Sequence, residues 1–176
     1  VDAAVAVGAI PEGRGARLAR RLERWMFGRA DLVNAVTEGV RDALIEKAVD
    51  PGRICWLPNG ADTDLFTPGH SASAAHQSEM VRAELGARDG ESIVLYAGTH
   101  GFVHGLDVVL DAAHHLRGDA VRFVLVGGGS EKAALQHRAK AESLDNVTFL
   151  APVSPERIAT YLGESAAGLA TVRPGD

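Results

Sequence analysis

The chain has 176 residues, 18 Lys+Arg against 23 Asp+Glu, a formal net charge of -5 and 46% hydrophobic residues. That length holds one core of roughly 100–150 residues, or one domain and a piece of another. The composition excludes a nucleic-acid binder acting through bulk positive charge and excludes a disordered chain. A single cysteine, Cys55, rules out an internal disulfide, so a cytoplasmic protein is expected.

No apolar run approaches the roughly 20 residues of a membrane span, and no signal segment opens the chain. The sequence starts on Val1 inside Val1-Asp2-Ala3-Ala4-Val5 and ends on Arg173-Pro174-Gly175-Asp176 directly after an apolar run. Both ends read as cut. Between Gly13 and Gly28, Leu18, Leu22 and Met26 recur at spacing four with Trp25 beside them, a helical stripe expected to lie on a sheet. Arg14, Arg17, Arg20, Arg21 and Arg24 fill the rest, a pattern that also suits an anionic lipid surface. Asp31–Val36 reads as a short buried strand, Thr37 as the N-cap of a helix running to about Ala48, and Arg53–Leu57 as the next strand. Cys55 belongs to the core of that strand.

After the Pro58-Asn59-Gly60 turn the composition changes, and residues 67–78 contain no large apolar side chain, so this span is expected to be a linker. The organisation is then 1–66, a linker at 67–78, and 79–176. From Glu79 onward strands at Ser92–Ala97, Val121–Val126, Asn146–Leu150 and Ala167–Val172 alternate with helices opening near Leu106, Ser130 and Ser154. Apolar strands alternating with helices predict an α/β fold with a parallel sheet covered on both faces. Right-handed crossovers favour the strand order 3-2-1-4, with ligands bound at the carboxyl ends where the order reverses. The strands starting at Ile93 and Ala167 should therefore lie side by side.

Gly98, Gly101 and Gly105 let the loop after the first of these strands bring backbone N–H groups close to an anion, beside the positive end of the next helix. The spacing is not that of the dinucleotide fingerprint. Gly127-Gly128-Gly129 after the second strand fits an anion loop and a tight strand-to-helix turn equally well. His104 can donate to a phosphate, whereas His100 is expected in solvent. The seven histidines form no metal-ligand spacing, so no bound metal is expected, and no nucleophile–base pair or carboxylate pair is visible.

Arg29 to Thr37, Ile54 to Leu57 and Pro58-Asn59-Gly60-Ala61-Asp62-Thr63-Asp64-Leu65-Phe66 together are similar to the end of the N-terminal domain of retaining glycosyltransferases of family four. The loop ending His104-Gly105-Leu106-Asp107, the run Phe123 to Gly129 and Asn146 to Leu150 resemble their C-terminal domain. The resemblance implies a GT-B type fold: a partial Rossmann-like C-terminal domain preceded by the tail of a Rossmann-like N-terminal domain. It implies transfer of a sugar from a nucleotide-sugar donor with retention, without cofactor, to a sugar or lipid-linked acceptor in envelope polysaccharide or glycolipid synthesis. It places the protein in the cytoplasm, with peripheral contact to the inner face of the membrane as an extension. Carried over position by position, donor binding falls on Gly98, Thr99, Gly101, His104, Gly105, Gly127, Gly128 and Arg173, and backbone contact with the base on Ala151, Pro152 and Val153. Thr99 stands where the family often has Arg and His104 where it often has Lys, which implies either hydrogen bonds and the helix end in place of cations or a weakened hold on the diphosphate. The family's glutamate pair would lie beyond Asp176, so this chain alone is expected not to turn over. A sugar-nucleotide epimerase of the same fold and a non-catalytic nucleotide-binding α/β module remain alternatives.

Overall fold

The computed structural model describes residues 1–6, 8, 10–67 and 75–173. They form two compact units, Val1–Ala61 and Asp62–Arg173. The expected boundary at 67–78 thus falls later than the observed one. Residues 68–74 of that span and Pro174, Gly175 and Asp176 at the end lie outside the described residues.

The first unit contains α1 (Asp2–Ala6), α2 (Arg14–Arg29), β1 (Val33–Ala35), α3 (Glu38–Glu46) and β2 (Ile54–Trp56). β1 and β2 pair in parallel, Val33 opposite Ile54 and Ala35 opposite Trp56. Thr37 caps α3 as expected, its Oγ1 accepting the Val40 N–H at 3.2 Å. Ala35, Leu44 and Val49 form the core, with Phe27, Val33 and Ile54 packed against it. The stripe on α2 departs from expectation, for Leu18 and Trp25 are 69% and 58% exposed and Leu22 and Met26 also face outward. The helix instead turns Ala16 and Phe27 inward. At about 100° per residue those two share one face and the stripe lies about half a turn away.

The second unit is a four-stranded parallel sheet in the order β5-β4-β3-β6, the predicted 3-2-1-4 arrangement. Its strands are β3 (Ser92–Ala97), β4 (Val121–Val126), β5 (Val147–Leu150) and β6 (Ala167–Gly168). Val94 pairs with Ala167 and Leu95 with Gly168, so the two strands at the reversal point are neighbours. Alternation along β4 sends Phe123 and Leu125 to one face and Val124 and Val126 to the other. On the first face they meet α5 (Asp107–His115) and α6 (Lys132–Ala141) through Leu110, Ala113 and Leu135. On the second they meet α4 (Ala75–Glu84) and α7 (Pro155–Gly163) through Val81, Leu85 at the end of α4, and Tyr161.

Two expectations are corrected here. The span 67–78 is not a linker throughout, because α4 begins at Ala75 and delivers Val81 to the core. The fourth strand is two residues long rather than six: after Leu169 donates to the Leu95 carbonyl at 2.8 Å, the chain leaves the sheet and Arg173 donates to Val103 O at 2.8 Å. At the opposite end of the strands lies a buried ion pair. Arg122 Nε reaches Glu91 at 2.7 Å, and the guanidinium also donates to Asp145 O at 3.1 Å and Thr148 Oγ1 at 3.3 Å.

Candidate functional site

Two glycine loops leave the carboxyl ends of β3 and β4 and are bonded to each other. The Gly98 N–H donates to Val126 O at 3.0 Å, the His100 N–H to Gly128 O at 2.8 Å, and the Glu131 N–H to His100 O at 2.9 Å. This contact is possible only because two glycines carry no side chain. A Cβ on Gly127, at φ +145°, would stand 1.9 Å from Gly98 O, and one on Gly129, at φ +153°, 2.4 Å from His100 O. The triple glycine thus divides: Gly127 and Gly129 allow the close approach, whereas a Cβ on Gly128 would meet only Pro152 Cγ at 3.6 Å.

His100 is not solvated but fully buried, 0% exposed, its ring centroid 5.9 Å from that of Tyr96 and 6.3 Å from that of Phe149. Neither ring nitrogen has a hydrogen-bond partner among the described residues. Burial, and next the neighbouring Lys132 ammonium, hold the imidazole below its ordinary proton affinity. The unfolded chain accepts a proton near pH 6.5 that the folded chain refuses, so stability is full above that value and falls as pH drops through it. The slope reaches at most about 1.4 kcal/mol per pH unit. Urea unfolding between about pH 7.5 and 5.5 should show this loss in the wild type and a shallower one in His100→Gln; equal slopes would refute the assignment.

Lys132, the first residue of α6, sends its ammonium back over the strand ends, where it donates to Gly127 O and Leu150 O, both at 2.6 Å. Sequence reasoning missed it, yet a signal was there: a cation in the first turn opposes the helix dipole and needs a specific partner.

A recess of about 670 Å³ opens at this edge of the sheet. Ala97, Gly98 and Thr99 line it from β3, Val126, Gly127 and Gly128 from β4, and Pro152, Val153, Pro155 and Ile158 from the segment after β5 and the start of α7, with Phe66 at one side. Six of the expected donor-binding positions, Gly98, Thr99, Gly127, Gly128, Pro152 and Val153, therefore come together. Ala151 is exposed beside them without lining the recess. Phe66 and Ile158 join the wall unforeseen. The backbone N–H groups of Thr99 and Gly128 make no hydrogen bond among the described residues.

The remaining positions are elsewhere. Gly101, Gly105 and Arg173 line a smaller recess of about 160 Å³ with Asp107 and Arg138. Arg173 is held there by Asp107 at 2.7 Å and lies 4.2 Å above the Phe102 ring. Gly105, at φ +56°, ends the short turn Phe102–His104 and has the Arg173 backbone 3.3 Å from where its Cβ would be. His104 lines neither recess. Among the described residues no group of three or more His, Cys, Asp or Glu is placed to hold a metal ion, and no helix is long and apolar enough to cross a membrane.

Comparison with known proteins adds two family matches, glycosyl transferases group 1 over residues 77–171 and glycosyltransferase family 4 over residues 8–65. WcaI of Escherichia coli (strain K12), named as a glycosyl transferase of colanic acid biosynthesis, is 32% identical over 152 residues, covering 85% of this chain and 36% of that protein. A D-inositol 3-phosphate glycosyltransferase of Mycobacteroides abscessus is 36% identical over 144 residues, covering 78% of this chain and 30% of its own length. The chain thus spans about a third of the curated relatives it matches. Among solved structures, Anabaena Alr3699/HepE in complex with UDP-glucose superimposes with a TM-score of 0.73 at 19% identity, covering 87% of this chain and 42% of that one. The fold is of the GT-B type.

Proposed function

Because the chain belongs to the glycosyl transferases group 1 family, we propose that its protein transfers a sugar from a nucleoside diphosphate sugar to an acceptor, and that Asp62–Arg173 holds the donor. The observation that carries this is the recess at the carboxyl ends of β3, β4 and β5, where the order of the sheet reverses. Its side chains are apolar apart from Thr99, which suits a base and ribose, while the uncommitted N–H groups of Thr99 and Gly128 are available to phosphate oxygens. As the bond from sugar to diphosphate breaks, negative charge gathers on the leaving group, and preset N–H donors stabilise it without reorganising. Gly98, Thr99, Gly127, Gly128, Pro152 and Val153 are the residues assigned to the donor.

Transfer proceeds with retention and without metal or organic cofactor, as the family resemblance implies. The acceptor is a sugar or lipid-linked precursor of an envelope polysaccharide or glycolipid, a reading supported by the name of WcaI. The protein works in the cytoplasm in peripheral contact with the membrane, which the arginine-rich α2 with its exposed Leu18, Leu22, Trp25 and Met26 supports. Vesicles of anionic lipid that fail to sediment the full-length protein would remove that last part.

Calorimetric titration of the full-length protein with UDP, GDP and ADP tests the donor assignment. At least one should bind, and Val153→Trp, which fills the recess, should weaken that binding about tenfold or more. No binding by any of the three, or no effect of the substitution, would overturn it.

A further inference from the structure

Any anion entering the main recess meets a wall without a single ionised side chain. It also meets the carboxyl edge of a parallel sheet, where the carbonyls of Gly127 and Leu150 present partial negative charge. Lys132 changes that edge. Its ammonium is 2.6 Å from both carbonyl oxygens, and Gly127 itself lines the recess, so a full positive charge stands one peptide unit behind the wall. The other cations of this end of the unit are committed elsewhere: Arg173 pairs with Asp107 and Arg138 with Asp111 and Glu142, and both line the smaller recess. The placement also opposes the dipole of α6, which a solvent-facing lysine at its first turn would do to no benefit. The same charge lies near His100 and, after burial, adds to what keeps that ring neutral.

From this geometry we infer that Lys132 is a positioning residue for the phosphates of the donor: it ties the ends of β4 and β5 together and supplies, through the Gly127 peptide, the positive field that the wall lacks. The inference rests on the donor reading given above. Two bonds fix the ammonium between the strands, and the peptide they hold is the one that Gly98 and His100 approach from the other loop. The field therefore comes with the floor of the recess already in place, and its effect falls on charged ligands alone.

That selectivity gives the test. The full-length protein, Lys132→Met and Lys132→Gln are titrated by ligand-observed NMR with the nucleoside diphosphate, among UDP, GDP and ADP, that binds the wild type and with its parent nucleoside, and their thermal midpoints are measured. Glutamine keeps N–H donors for the two carbonyls but no charge, so it guards against a methionine variant that folds poorly. Both variants should lose about tenfold or more in diphosphate affinity and keep nucleoside affinity within about twofold, since the lost interaction is Coulombic. Equal losses for diphosphate and nucleoside would show a purely structural lysine and overturn the inference, as would unchanged diphosphate affinity in both variants. A wild-type protein that binds none of the three diphosphates would refute the donor reading and this inference with it, whereas wild-type binding with unaffected variants refutes this inference alone.

Discussion

Gly127→Ala should unfold the Asp62–Arg173 unit under conditions in which Gly128→Ala leaves it intact. The methyl group at position 127 would be 1.9 Å from Gly98 O, and the backbone on each side is held, Gly98 by its bond to Val126 O and Gly127 by its bond to Leu150 O, so neither can step aside cheaply. The φ of +145° adds strain for any residue with a Cβ. A destabilisation of about 3–5 kcal/mol is expected, in the range of severe backbone and packing lesions. At Gly128 the same methyl group meets only Pro152 Cγ at 3.6 Å, ordinary contact, so the change should stay within about 1 kcal/mol. Urea unfolding of both variants reads the difference directly. Equal stabilities would mean that the two loops are not in contact as described.

The second large effect is expected at the other end of the strands. Arg122 is buried, 5% exposed, and Glu91→Leu leaves its guanidinium with only the Asp145 carbonyl and Thr148 hydroxyl for company. Stranding a buried charge in this way should destabilise by about 3–5 kcal/mol, while the double variant Glu91→Leu with Arg122→Met should recover much of the loss. A double variant no more stable than the single one would show that the pair is not the source of the effect. The same site shapes acid behaviour. Burial pushes the Glu91 carboxyl up, but the bonds from Arg122 and from the Arg88 N–H outweigh it and hold the group below its ordinary value. Its contribution is therefore present above the unfolded value near pH 4.3 and fades as pH falls toward the folded one.

The central strands were legible because their signal is local. Ser92–Ala97 and Val121–Val126 are apolar on both faces and bounded by glycine, and the structure begins and ends them at those residues. The crossover rule then supplied the order of the sheet. β6 was overread because an apolar run to Val172 says nothing of where the chain leaves its neighbour: pairing stops opposite Leu95, while β3 continues to Ala97, and the chain turns toward Val103 instead. α4 was missed because its first turn, Ala75-His76-Gln77-Ser78, carries no large apolar residue and its core contacts, Val81 and Leu85, come late.

At the candidate site, sequence located the loops without assigning work within them. Three consecutive glycines look alike in a sequence, and only the approach of Gly98 and His100 separates 127 and 129 from 128. His100 sits between glycines in a polar stretch, which reads as solvent-facing, whereas Tyr96 and Phe149 enclose it. Its burial is set by a strand fifty residues away in the chain at β5, beyond the reach of local pattern.

The floor of the main recess is made of peptide groups locked to one another at van der Waals distance, and such a surface has almost no room for mutational drift. Side chains that face the space without belonging to a core cluster, those of Phe66, Thr99 and Val153, are where ligand preference can be retuned while the scaffold stays unchanged. Libraries built to alter selectivity should be confined to those three positions, and variants recovered from wider randomisation should be depleted at Gly127 and Gly129.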